Sequence, residues 1–192
     1  MDFQEYNASK KDSVRRPFIS LLPEDGIYKF LEVTFTYSFD YEFARFASMH
    51  FQRDKRTRQS VNDLSNYSPK EPQSPLLPVR RQFFQTTVRT EVIIMLYMSD
   101  LPMKENPMSL LDELKSAVLL SDQILDNAYC FLMKQTSANM QENSEQRGWE
   151  LINYLLSIKL PPPPLFAFVL YFICKTLFSC DVSVLLLPSA HG

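Results

Sequence analysis

Proline decides where the backbone of this chain can stay regular, because its ring removes a donor and, inside a helix, clashes with the preceding turn. Thirteen prolines stand against three glycines, and eight of them fall in two clusters, at 69–78 and at 161–164. Leu101-Pro102 and Asn106-Pro107 mark a further break, since the residue before a proline is pushed out of helical geometry. Any regular element must fit between these points.

Between the breaks, apolar residues recur with a helical period. Phe43, Phe46, Ala47, His50 and Phe51 share one face, so the spacing predicts a helix over 40–52 with Asp40 as its N-cap. A second helix is expected over 83–99, with Val88, Val92, Met95, Leu96 and Ser99 aligned and Ile93, Ile94 and Met98 widening the stripe. A third spans 109–120, with Asp112 and Glu113 in its first turn, and a fourth starts at Ser121-Asp122 and ends at Ser137. Ser144 is the expected N-cap of a fifth, which carries Trp149, Ile152, Leu155 and Leu156 on one face. Prolines 161–164 then form an extended connector before a last helix over 165–177. The expected fold is all-α, a compact bundle of about six helices. An irregular lead-in occupies 1–40 and contains a strand-like piece at 29–37; the helical domain covers 41–175 and a divergent tail covers 176–192. Residues 53–78, rich in Ser, Asn, Gln and Pro, read as an exposed loop.

At 192 residues and 45% apolar content the chain can close one hydrophobic core. A net charge of −2 and a pI near 5.7 argue against a whole-chain binder of nucleic acid or anionic membrane. Cys130, Cys174 and Cys180 have no CxxC spacing and sit in or beside apolar runs, as reduced thiols of a cytosolic protein do. No secretory signal is visible in 1–11. The apolar stretch 165–187 is interrupted by Lys175 and Asp181 and reads as a buried helix rather than a membrane span. Gly-rich phosphate loops, paired catalytic acids and Cys-His or Ser-His arrangements are not recognisable, so neither an enzyme nor a cofactor site is expected. His50 has no second ligand nearby and reads as a satisfied, partly buried histidine, while Cys130 reads as a small buried hydrophobe.

Three elements, Leu125-Asp126-Asn127-Ala128-Tyr129-Cys130, Lys134-Gln135-Thr136-Ser137-Ala138-Asn139 and Gln146-Arg147-Gly148-Trp149-Glu150-Leu151, occur in an order and spacing that resembles the signature of the MyTH4 (myosin tail homology 4) domain. Phe43-Ala44-Arg45-Phe46-Ala47 with Phe51-Gln52 resembles that family's opening helix, Pro75-Leu76-Leu77 its connector and Met98-Ser99-Asp100-Leu101-Pro102 its Met-Gly-Asp turn. The chain departs at Asn127, where an acid is usual, at Phe131, where a Gln is usual, and at Ser99, where a Gly is common. The resemblance implies a non-catalytic interaction module of an unconventional myosin tail, of class XV or VII type, that binds cargo adaptors or microtubules beside a FERM domain. Because the pattern stops after Lys175, a truncated product lacking motor and FERM domains is expected.

The signature itself reads as packing. Trp149 lies on an apolar face, and Gly148, costly inside a helix, suits a close helix approach. Arg147 is expected to pair with Glu150, Glu145 or Asp126, and Lys134 to be a surface charge. Arg53, Lys55, Arg56 and Arg58, joined by Arg80 and Arg81 and by Lys70, form the candidate partner-binding surface, since acidic tubulin tails suit such a patch. A small helical enzyme or a membrane-associated helical protein is the alternative.

Overall fold

The computed structural model describes residues 41–53, 58–102 and 105–178. Its described elements are α1 (Phe43–His50), α2 (Val61–Ser65), a 3-10 turn at Arg81–Phe83 that leads into α3 (Phe84–Met98), α4 (Pro107–Leu120), α5 (Asp122–Thr136), α6 (Glu142–Ile158) and α7 (Pro163–Phe178). Seven α-helices and no strand occur among the described residues. The all-α expectation holds, with one helix more than expected. The strand-like piece at 29–37, the proposed cap Asp40 and the tail beyond 178 lie outside the described residues. The chain divides into one unit, Phe43–Phe166, and a second formed by Met1–Glu42 and Ala167–Gly192.

In the first unit, α3 packs against α4, α5 and α6, and α5 touches α4 and α6 as well. Its centre is built from Ile93, Ile94, Met95 and Met98 of α3, Leu110 and Leu114 of α4, Ile124, Leu125 and Leu132 of α5, and Trp149, Ile152 and Leu155 of α6. α5 is buried on nearly every side, polar residues included, because neighbours cover it all round. Val88 and Val92, expected on the inner face of α3, are only half-buried; Thr87, Thr90 and Glu91 lie inside instead. The two threonines turn their hydroxyls back to the Phe83 and Thr86 carbonyls and so need no other partner.

Capping chemistry moves several ends. α4 begins two residues early because Asn106 Oδ1 accepts the Met108 N–H and Pro107 occupies the first turn, where its missing donor costs nothing. Asp112 and Glu113 therefore miss that turn. Ser144 does not cap α6. The helix starts at Glu142 after Gln141, and Ser144 is buried inside it. The last two prolines of 161–164 open α7 rather than extending the connector, as proline's fixed φ allows in a first turn.

In the second unit, Tyr41 meets Phe168 edge to face at 5.3 Å, and Glu42 accepts hydrogen bonds from the Tyr171 hydroxyl and the Lys175 ammonium. Among the described residues no helix is long and apolar enough to cross a membrane.

Candidate functional site

The stretch 53–78 is not the plain exposed loop expected of it. Ser60 and Asp63 form a capping box: the Ser60 N–H and hydroxyl both donate to Asp63 Oδ2, each at 2.7 Å, while Ser60 Oγ accepts the Asp63 N–H. That box starts α2, a helix of five residues, too short to persist alone. Its other end is held by Lys134. This lysine is 7% exposed, and its ammonium donates to the carbonyls of Asp63 (2.7 Å), Leu64 (3.1 Å) and Asn66 (2.7 Å). The expected surface charge is thus a buried clamp, and burial holds its pKa down to about 8. Gln135 continues the clamp, accepting the Ser68 N–H and donating to the Ser68 carbonyl, 3.0 Å each. The Lys-Gln pair acts like an added edge, satisfying backbone that has no other secondary structure to join.

The connector is gripped in the same manner. Gln52 donates to the Pro75 and Leu77 carbonyls through its side chain and to the Leu76 carbonyl through its N–H, Glu91 Oε1 accepts the Leu76 N–H at 3.2 Å, and Asn127 Oδ1 accepts the Leu77 N–H at 2.8 Å. Asn127 also donates to the Gln123 carbonyl, which an acid at this position could not do unless protonated. Glu91 is fully buried with Oε2 unpartnered, and burial pushes its pKa up to about 8. Nothing in the sequence pattern singled out Glu91, and Gln52 was visible only as part of the Phe51-Gln52 end of the opening-helix resemblance. A carboxylate between apolar residues on an otherwise inward helix was the available signal.

The tryptophan corner is packing, as expected. A Cβ on Gly148 would stand 2.5 Å from Thr136 Cγ2 and 2.9 Å from Met98 Cε, so the missing side chain is what lets α6 approach α3 and α5. Among the described residues Arg147 takes no carboxylate. It donates to the Tyr97 carbonyl at 3.2 Å and to Ser99 Oγ, bracing the turn after α3. Ser99 has φ 65°, a left-handed conformation that explains why glycine suits this position. Below it, Asp100 Oδ1 accepts hydroxyls from Ser144 (2.7 Å) and Tyr67 (3.1 Å), tying α6 to residue 67. Tyr129 donates to the Lys159 carbonyl at 2.8 Å, and Cys130 is buried, with its thiol pushed up by burial and by nearby Asp126 and Glu91.

Of the basic residues, Lys55 and Arg56 lie outside the described residues. Arg53, Arg58, Arg80 and Arg81 are exposed. Arg53 reaches the Ser48 carbonyl at 3.0 Å. Among the described residues no carboxylate pairs with any of the four, in contrast to Arg89, which binds Glu113 through two bonds of 2.9 Å. Arg53 and Lys70 line one open cleft of about 570 Å³ together with Gln59, Gln73, Phe131 and Lys134. Arg58, Arg80 and Arg81 stand outside that cleft, the last two where the Arg80 N–H meets Gln123 Oε1. His50 is exposed rather than partly buried, its ring 4.6 Å from that of Phe46 at the end of α1. Among the described residues no group of three or more His, Cys, Asp or Glu is placed to hold a metal ion.

The family model described as the MyTH4 domain matches residues 111–185, the span that holds the clamp and the tryptophan corner. Residues 111–185 thus carry a likeness to the MyTH4 domain. Among curated relatives, Myosin-VIIa of Drosophila melanogaster is 34% identical over 47% of the chain, and the Myosin-I heavy chain of Dictyostelium discoideum is 27% identical over 79%. The chain spans 4% and 7% of those proteins respectively. The human Myosin 7b C-terminal MyTH4-FERM domain, solved in complex with the harmonin-a PDZ3 domain, superposes with a TM-score of 0.60 at 25% identity, covering 67% of this chain and 27% of that one. The Dictyostelium discoideum Myosin VII MyTH4-FERM MF1 domain gives a TM-score of 0.61 at 22% identity, covering 71% of this chain and 28% of that one.

Proposed function

We propose that this MyTH4 domain is a non-catalytic protein-interaction module of an unconventional myosin tail, at work in the cytoplasm on the cytoskeleton, where it binds cargo adaptors or microtubules. The exposed arginines, without carboxylate partners among the described residues, carry the reading. Arg53, Arg58, Arg80 and Arg81 keep their charge available on a chain of net charge −2, and such charges steer acidic partners and favour the correct one. Lys55 and Arg56 join them by position in the sequence. The solved Myosin 7b relative, in complex with a PDZ domain, supports protein partners as the class, and the MyTH4-FERM relatives support a FERM neighbour as a cooperating domain.

Microtubule co-sedimentation across a salt series tests the finer choice. The expected result is binding that weakens steeply with salt and falls at least several-fold when Arg53, Arg58, Arg80 and Arg81 are changed to Glu. Binding indifferent to both salt and charge reversal would remove the basic face from the mechanism.

A further inference from the structure

One end of the unit Phe43–Phe166 gathers four segments: the turn that opens α3, the last residues of α4, the start of α5 and the residues after α6. Three contacts hold them together. The Arg80 N–H donates to Gln123 Oε1 at 3.0 Å, Leu120 lines a groove of about 260 Å³ with Thr86, and Lys159 is ion-paired with Asp122. Leu119, Leu120 and Leu160 stand in water there, 50%, 62% and 57% exposed, and no other leucine among the described residues is exposed. Burial would be the ordinary fate of such side chains.

The charge around these leucines is basic. Arg80 and Arg81 are exposed, and Lys115, exposed as well, sits one turn before Leu119 on α4. Among the described residues none of the three has a carboxylate partner, whereas two nearby acids are already taken, Asp122 by Lys159 and Glu113 by Arg89. Asp112 lies two turns before Leu119, about 10 Å away along the helix. We propose that this end of the domain docks on a bilayer carrying anionic lipid, with the leucines at the boundary between headgroups and acyl chains and the three basic side chains among the headgroups.

Charge and area select this occupant. Apolar side chains flanked by unpaired cations match a surface that is negative outside and apolar beneath. A second copy placed on the same face by a two-fold axis would bring Arg80, Arg81 and Lys115 towards their own counterparts. A stable protein interface also buries about 800 Å² on each side, which three partly exposed leucines do not approach, while a bilayer is held by a few inserted side chains acting with basic ones. The chain's net charge of −2 does not oppose this, because the membrane's potential falls off within a Debye length of about 8–10 Å and reaches only this end. The leucines have no role in the salt-sensitive binding proposed above, so changing them separates the two activities.

The test sediments the full chain with vesicles of phosphatidylcholine alone or of phosphatidylcholine with one third phosphatidylserine. Binding to the anionic vesicles should exceed binding to the neutral ones about tenfold and weaken with salt. Leu119→Ser with Leu120→Ser should reduce it several-fold at an unchanged thermal melt, and Arg80→Glu with Arg81→Glu should abolish it. Insertion has its own readout. Trp149 is the chain's only tryptophan and is 4% exposed, so brominated lipid should leave the parent's fluorescence alone and quench that of Leu119→Trp. Absence of binding to the anionic vesicles, binding that survives loss of both leucines, or an unquenched Leu119→Trp overturns the proposal. A dimer in solution that the leucine change dissolves, or capture of this face by polyglutamate, in either case without vesicle binding, overturns it in favour of a second copy or an acidic protein.

Discussion

Ser99 and Ala138 are the two non-glycine residues with positive φ among those described, at 65° and 52°. Each holds a side chain in a conformation that costs an L-residue about 1–2 kcal/mol. Ala138 is exposed and its methyl has little to lose, so Ala138→Gly should raise stability by about 0.5–1 kcal/mol, read as a shift in the denaturant midpoint at constant slope. Ser99→Gly should gain less, because Ser99 also accepts from Arg147. Lys134 makes the opposite kind of prediction. Lys134→Met keeps the buried stem but abandons three carbonyls, and a loss of about 1–2 kcal/mol is expected, with fast exchange confined to residues 61–68. The lysine was visible in the sequence as part of a motif, but its role was not. A lysine in a helix reads as solvated unless the segment that buries it is known, and that segment lies about seventy residues away in the chain.

Among elements, the contact that depends most on a single atom's absence is α6 against α3 and α5. Gly148→Ala would force its Cβ into Thr136 Cγ2, and overpacking of this sort costs about 1–3 kcal/mol. Thr136→Ser removes that methyl and keeps the hydroxyl that donates to the Leu132 carbonyl. The double variant should therefore be more stable than the sum of the two single changes implies, a coupling that chemical denaturation of the four proteins would measure. If the effects simply add, the clash is elsewhere. The arginine, glycine and tryptophan are adjacent in the sequence, yet they do three different jobs. Arg147 braces a turn, Gly148 admits a neighbouring helix, and Trp149 fills the core at 4% exposure.

For the whole molecule, the buried acids set the response to pH. Burial raises Glu91 from 4.5 to about 8, and burial with the like charge of Asp122 raises Asp126 from 3.8 to about 6. A raised acid binds its proton more tightly in the folded state. Its contribution is therefore complete below the unfolded value and is lost as pH climbs through the folded one. Stability should fall between about pH 4.5 and 8. Glu91→Gln, which can still accept the Leu76 N–H, should flatten that fall and be the more stable protein at pH 8 by about 1–3 kcal/mol, with the difference closing towards pH 5. Denaturation series at several pH values would check it. Parallel curves for the two proteins would show that Glu91 titrates as an ordinary carboxylate.

Local rules in the sequence determined the helical class, the positions of α3 and α5 within a residue or two, and the packing role of the Gly148-Trp149 corner, because periodicity, proline and caps act over a few residues. They also carried the resemblance to the MyTH4 domain, since its motifs are contiguous strings. Only the tertiary structure decided what covers those strings. Residues 60–77 hold themselves by hydrogen bonds to side chains on α3 and α5 and to Gln52, and such bonds leave no period in the sequence. Lys134 thereby became a clamp and not a surface charge, Ser144 an interior bridge and not a cap, and the proposed loop an edge built around one short helix. The physical reason is the same in each case: a polar residue's environment is set by whichever distant backbone needs its donor.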